Sequence, residues 1–236
     1  MDAVLLFSGQ GAQKVGMGKD LYDQYPVAKA LIEQADKALG ESLSAVMFEG
    51  PGEELTRTCN CQPALYVHGL ACLAVLKELV PSLNPVAAAG LSLGEFTAHA
   101  AAGTYSFEEG LRLVQKRGAF MEEACNATKG TMAAMIGGTD ENVIKLAQEC
   151  DVDVANFNCP GQTVVSGTEE GVAKAVAGAK AAGCKIAKKL NVAGAYHSRL
   201  MHSAMVKLAE ELKNISFGTP SMPVYCNYEA RVVEGP

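Results

Sequence analysis

The chain has 236 residues, 49% of them hydrophobic and 19% charged, enough to bury one large core or a core with a smaller satellite. Its net charge of −6, with no basic block, argues against a nucleic-acid partner. Runs such as "VAAAGLSL" and "MAAMIGG" are short and bounded by polar residues, so no apolar segment reads as long enough to cross a bilayer.

In chain order, "AVLLF" is a first strand. No basic region precedes it, so it is read as neither a signal nor a transit peptide. "VAKALIEQADKAL" and "PALYVHGLACLAVLKEL" carry apolar residues at helical spacing, "VAAAG" is a fully buried strand, and "EEGLRLVQKRGAFMEEA" is helical again. Strands alternating with helices predict a parallel sheet covered on both faces.

Beyond about Gly130 the rhythm changes. "TMAAMIGG" reads as a strand, "DENVIKLAQEC" as a helix opened by Asp140, and "VDVANFN" and "QTVVSGT" as strands. A helix, "EEGVAKAVAGAKAAG", ended by Gly183, and a strand, "CKIAKKLNV", complete a β-α-β-β-α-β order, the split unit of a ferredoxin-like domain. A helix in "SRLMHSAMVKLAEELKN" and a buried strand in "MPVYCN" then return the chain to the first domain. The fold class is therefore α/β: a large α/β-hydrolase-like domain over 1–127 and 194–236, and an inserted ferredoxin-like domain over 128–193. A substrate pocket is expected in a cleft between the two.

Eight cysteines, Cys59, Cys61, Cys72, Cys125, Cys150, Cys159, Cys184 and Cys226, are scattered through apolar segments. Without a secretion signal they are expected as free thiols, and the chain as cytoplasmic. Cys59 and Cys61 with His68 lack the spacing and the second ligand pair of a zinc site, so no metal is expected.

Gly90-Leu91-Ser92-Leu93-Gly94 matches G-x-S-x-G between a predicted strand and a predicted helix, the context of a nucleophile elbow. Two glycines permit a turn that side chains would block, which leaves Ser92 Oγ exposed and the Leu93 amide aimed at a developing oxyanion. A glycine-flanked turn with an N-cap serine is the plainer alternative. Of the four histidines, His99 lies on the same helix as Ser92, about 10 Å along its axis. His68 and His202 lie inside helices, whereas His197 follows Gly194 at a strand-to-helix turn and is the favoured base. Gly9 and Gly11 open the turn after the first strand and free the Gln10 amide as a second oxyanion donor. Lys14 breaks the competing dinucleotide pattern G-x-G-x-x-G.

In order, "FSGQGAQ", "QPALY", "GLSLGE", "QKRG", "GTMAAM", "NCPGQTVVSG", "GAYHS" and "PVYCN" span the chain, which resembles the malonyl-CoA:acyl carrier protein transacylase family of fatty-acid and polyketide synthesis. The resemblance implies Ser92 as nucleophile, His197 as base, and Gln10 and Leu93 as oxyanion amides. It further implies Arg117 as the partner of the malonyl carboxylate, with Gln62 and Asn158 lining the pocket. Malonyl-CoA and an acyl carrier protein are the implied partners, with no nucleic acid and no membrane. No resident cofactor is implied, since the coenzyme A thioester is a substrate and the phosphopantetheine belongs to the carrier. Ser8, Leu91 and Tyr196 stand where the family often has proline, histidine and phenylalanine. Family members also continue past the point corresponding to Pro236, so an apolar sheet face is expected to lie uncovered.

Ping-pong acyl transfer is the chemistry implied. Lys185, Lys188, Lys189 and Arg199 are candidates for docking an acidic carrier, although charges beside a strand are commonly just solvated. Two other readings stay open: a serine esterase or thioesterase, whose acid would be Asp140, Asp151 or Asp153, and a catalytically impaired carrier-binding relative.

Overall fold

The computed structural model describes residues 1–233. They fall into two units: Met1–Ala119 together with the chain from Glu210 onward, and Phe120–Ala209.

The first unit opens with β1 (Asp2–Phe7), followed by α1 (Lys19–Gln24), α2 (Pro26–Leu39), α3 (Leu43–Glu49), α4 (Gly52–Thr56) and α5 (Thr58–Leu79). Proline suits the first position of α2 because its φ is already helical and its missing N–H would bond nothing there. Gly40 ends the helix in the left-handed conformation that glycine adopts without strain. Ala28, Ile32 and Ala35 of α2 are buried at helical spacing. α1, α3 and α4 were not predicted, since five to seven residues are too few to display a period.

α5 begins at Thr58, ahead of the predicted start at Pro63, and Thr58, Cys61 and Gln62 of this early part are all buried. By length and composition α5 could span a bilayer, which corrects the expectation that no segment could. Most of its apolar stretch is buried inside the protein, as in a core helix.

Next come β2 (Asn84–Gly90), α6 (Leu93–Ala101) and α7 (Phe107–Ala127), whose last turns belong to the second unit. After the second unit, β7 (Val224–Tyr225) completes a three-stranded parallel sheet in the order β1-β2-β7. Register puts Leu5, Ala88 and Val224 in one row, and all three are buried with Leu73 of α5 and Ala98 of α6. The neighbouring row, Leu6, Ala89 and Tyr225, points to the opposite face. There Leu6 is 78% exposed and Tyr225 44%, with Val4 of the same face at 56%. Helices therefore cover one face of this sheet, and the expected cover on both faces is corrected, as is the full burial expected of β2.

Within the second unit the order is β3 (Gly130–Ile136), α8 (Asp140–Glu149), β4 (Asp153–Cys159), β5 (Gln162–Thr168), α9 (Glu169–Gly178) and β6 (Ile186–Lys189), then a 3-10 turn (Arg199–Met201) and α10 (His202–Leu212). All pairings are antiparallel, in the strand order β4-β5-β3-β6. Period-two burial divides the strands between two cores. Ala133, Met135 and Val165 face α8 and α9, while Met132 and Val164 face Met121 and Ala124 of α7 and Ala204 of α10. Thr139 and Thr168 cap α8 and α9 by accepting from the N–H of Asn142 and Gly171; α8 begins at Asp140, the expected first residue, with Thr139 as its cap.

Candidate active site

β2 ends at Gly90 and α6 begins at Leu93, which leaves Leu91 and Ser92 to reverse the chain. Ser92 does so at φ 52° and ψ −99°, a backbone conformation that L-residues avoid. The flanking glycines are sterically required: a Cβ on Gly90 would collide with the backbone of Gly94, and one on Gly94 with the carbonyl of Phe7. A Cβ on Gly9 would fall 2.5 Å from the Leu91 carbonyl oxygen, so the turn after β1 lies directly against the elbow.

The Ser92 side chain makes no cap bond to its own helix. Its Oγ accepts instead from Nη2 of Arg117 at 2.9 Å, and Nη1 of the same guanidinium donates to Oε1 of Gln62 at 2.6 Å. Arg117 reaches this position from α7 and is only 9% exposed, with its Cζ 5.1 Å from the centre of the Phe96 ring. Burial pushes its pKa down to about 10, against the pull of the Glu95 carboxylate, so it remains a cation through the neutral range. Burial raises the Glu95 carboxyl above its ordinary value, while the Asn227 N–H and Arg117 lower it.

Of the other predicted residues in this unit, Leu93 is buried as the first residue of α6. Gln10 sits in the turn after β1, its Nε2 donating to Oγ1 of Thr58 at 3.5 Å, one helical turn before Gln62. The structure thus brings Ser92, Arg117 and Gln62 into one hydrogen-bonded chain. His99, further along α6, has its Nδ1 3.1 Å from Oγ1 of Thr104, and burial lowers its pKa.

The second unit carries His197 and Asn158. His197 follows the buried pair Ala195 and Tyr196 at φ 57°, and the adjoining turn is held by Ser198 Oγ, which donates to the Ala195 carbonyl at 2.6 Å. Ser92 and His197 are thus two of the four non-glycine residues with positive φ among those described, and such conformations concentrate at functional sites. Asn158, near the end of β4, donates to Oε1 of Gln162 at 3.2 Å.

Residues 4–235 match the acyl transferase domain family. The chain belongs to that family. It is similar to the malonyl CoA-acyl carrier protein transacylase of Bacillus subtilis (strain 168), with 45% identity over 233 residues, 97% of this chain and 73% of that protein. Among solved structures, the malonyl CoA-acyl carrier protein transacylase of Coxiella burnetii superposes with a TM-score of 0.93 at 36% identity, over 98% of this chain and 74% of that one. A malonyl-transacylase solved in complex with a type II PKS acyl-carrier protein gives 0.92 at 37% identity, over 98% and 75%.

In this acyl transferase domain the three aspartates open to an esterase triad are engaged elsewhere. Asp140 accepts from Thr163 Oγ1 at 2.7 Å, and Asp151 and Asp153 pair with Arg199 at 2.9 and 3.4 Å. Arg199 is consequently held within its own unit, and Lys189 stands 3.6 Å from Glu169, which removes both from the set of unpaired docking cations. Sequence reasoning missed Glu95, Phe96 and Asn227 of the acyl transferase. For Glu95 and Phe96 the signal was their place in the first turn of α6; for Asn227 the sequence held none, since its place beside the elbow follows from the pairing of β7 with β2.

Proposed function

We propose that the chain transfers the malonyl group of malonyl-CoA to the phosphopantetheine thiol of an acyl carrier protein, in fatty-acid or polyketide synthesis, through an acyl-enzyme on Ser92. The observation that carries this reading is the buried guanidinium of Arg117, divided between the Ser92 hydroxyl and the Gln62 carboxamide. A fixed cationic fork beside a strained serine suits an acyl group that ends in a carboxylate. Relatives named as malonyl CoA-acyl carrier protein transacylases, and one solved with its carrier, supply the donor and the acceptor.

His197 takes the Ser92 proton as Oγ bonds to the thioester carbonyl carbon, and the carbonyl electron pair moves onto oxygen, held by the N–H groups of Gln10 and Leu93. Leu93 suits this role as the first residue of α6, where helix N–H groups point outward. Collapse breaks the C–S bond, and the coenzyme A sulfur leaves with the proton from His197. The carrier thiol then gives its proton to His197 and attacks the malonyl ester, and Ser92 Oγ recovers the proton on leaving. A thiol of pKa about 8.5 is a good leaving group, so a serine-histidine dyad needs no buried aspartate. Asn158 and Gln62 line the acyl pocket in this reading, and the activated thioester makes a resident cofactor unnecessary.

The same reading takes 1–127 with 194–236 as an α/β-hydrolase-like catalytic domain and 128–193 as a ferredoxin-like insert, supported by the parallel sheet of the first and the β-α-β-β-α-β order of the second. A cytoplasmic location is supported by the eight free thiols. The decisive experiment is intact-protein and peptide mass spectrometry after mixing with malonyl-CoA. A malonyl adduct on the Ser92 peptide, discharged by holo carrier protein, is expected. An adduct on another residue, or release to water faster than to the carrier, would overturn the reading.

A further inference from the structure

Asn227 stands two residues beyond β7, and the parallel ladder decides what it meets. Ala88 pairs with Val224 and Ala89 with Tyr225, so the chain leaving β7 runs beside the chain leaving β2, toward the elbow. There the Asn227 carboxamide spans the turn. Its Oδ1 accepts from the Ser92 N–H at 2.6 Å and its Nδ2 donates to the Gly90 carbonyl at 2.7 Å. The Asn227 backbone N–H donates to Oε2 of Glu95 at 3.0 Å. Three bonds from one residue thus fix the last residue of β2, the nucleophile, and the first turn of α6. The residue itself is largely exposed, so the clamp consists of hydrogen bonds with little packing behind it.

We propose that Asn227 is a positioning residue for the transfer reaction: its carboxamide holds the strained peptide at Ser92 in the one geometry that presents Oγ for attack. The proposal rests on the reading of Ser92 as nucleophile. A backbone at φ 52° and ψ −99° persists only where its surroundings over-determine it. At such a turn the strand's own hydrogen-bond partners are lost, leaving an N–H and a C=O to be satisfied two residues apart. A carboxamide supplies one acceptor and one donor side by side, which matches that pair and fixes the orientation of the amide. Aspartate could accept from Ser92 but, ionised, could not donate to Gly90, and it would bring a second negative charge toward Glu95. Because the clamp occupies the Ser92 N–H, the oxyanion falls to the next amide, that of Leu93.

Pre-steady-state loading of the full chain by malonyl-CoA, followed by quenched-flow mass spectrometry, tests this with Asn227→Ala and Asn227→Asp beside the parent. A displaced nucleophile lowers the loading rate at saturation, and Asn227→Ala is expected to lose roughly ten- to a hundredfold there. The malonyl-CoA concentration at half-saturation should stay within about twofold, because Arg117 and Gln62 are untouched. Asn227→Asp should be impaired at neutral pH and recover relative to the parent as pH falls and its carboxyl gains the proton that Gly90 can accept. Should Asn227→Ala fail to fold, Asn227→Asp, which keeps the accepting oxygen, carries the test through its pH dependence. Loading by Asn227→Ala within twofold of the parent overturns the proposal alone, as does an Asn227→Asp deficit that is independent of pH or a loss that merely follows the folded fraction. A parent chain that never loads Ser92 overturns the nucleophile reading and this proposal with it.

Discussion

Replacing Arg117 by alanine removes a cation whose two prongs lie 2.9 Å from Ser92 Oγ and 2.6 Å from Gln62 Oε1, and which the proposed function pairs with the malonyl carboxylate. At 9% exposure, little water can take its place. Truncating one partner of a buried charge pair costs about 2 to 5 kcal/mol, or roughly thirty- to four-thousandfold in kcat/KM for malonyl-CoA. Glu95 would then act on the carboxylate without the opposing cation, which favours the upper half of that range. Acetyl-CoA has no carboxylate and forfeits at most the hydrogen bond to Ser92, so its kcat/KM should stay within roughly tenfold or improve. Lysine should restore only part of the malonyl preference, since it cannot form the two-pronged contact. The assay is transfer from each thioester to holo carrier protein across a concentration series. Malonyl and acetyl transfer falling together would show that Arg117 serves the fold, and the carboxylate's partner would then lie elsewhere.

Ser92→Ala should abolish malonyl loading by mass spectrometry and leave circular dichroism unchanged; normal transfer by this variant would sink the nucleophile assignment. Ser92→Gly should unfold at a higher temperature than Ser92→Ala, because glycine relieves a conformation that costs about 1 to 3 kcal/mol; equal melting temperatures would deny the strain. His197→Ala should lower transfer by several orders of magnitude and His99→Ala should be nearly silent, so equal losses would mean that the base is misassigned. Burial raises the Glu95 carboxyl above 4.5, so the folded chain holds this proton more tightly than the unfolded one, and stability from this group falls as pH rises from that value. Glu95→Gln keeps an acceptor for the Asn227 N–H and cannot ionise, so urea unfolding should show it gaining on the parent from pH 4 toward neutrality, with parallel curves counting against this account.

Legibility in the sequence followed the range of the interactions concerned. β5 has the predicted span, Gln162–Thr168, because a strand buried on both faces reads as a short β-branched run bounded by turn residues, here Pro160 and Gly161 ahead of it. The elbow was equally readable, since G-x-S-x-G between strand and helix is a local steric requirement that Gly90 and Gly94 meet. Arg117 was visible only through family resemblance: beside Lys116 on an amphipathic helix it looks like any solvated cation, and its burial depends on Gln62 and Phe96, 55 and 21 positions away. Asn227 was hidden for the same reason, as no periodicity tells which strand end a two-residue β7 will lie beside. The cover predicted for both faces of the parallel sheet failed because alternation of strands and helices specifies that helices pack on a sheet without stating on which side; the bare apolar face expected from the family resemblance is the one that carries Val4 and Leu6.

The open face of Val4, Leu6 and Tyr225 has a practical consequence for anyone handling the protein. Fluorescent dyes such as ANS brighten on apolar surface, and their binding is ordinarily taken as the mark of a molten globule. The folded 236-residue polypeptide presents such a surface, so for that polypeptide dye fluorescence should be high before any denaturant is added. It should fall, without first passing through a maximum, when β1 and β2 come apart. A bright baseline in a screen of variants would then report an intact first sheet, and a dim one its loss.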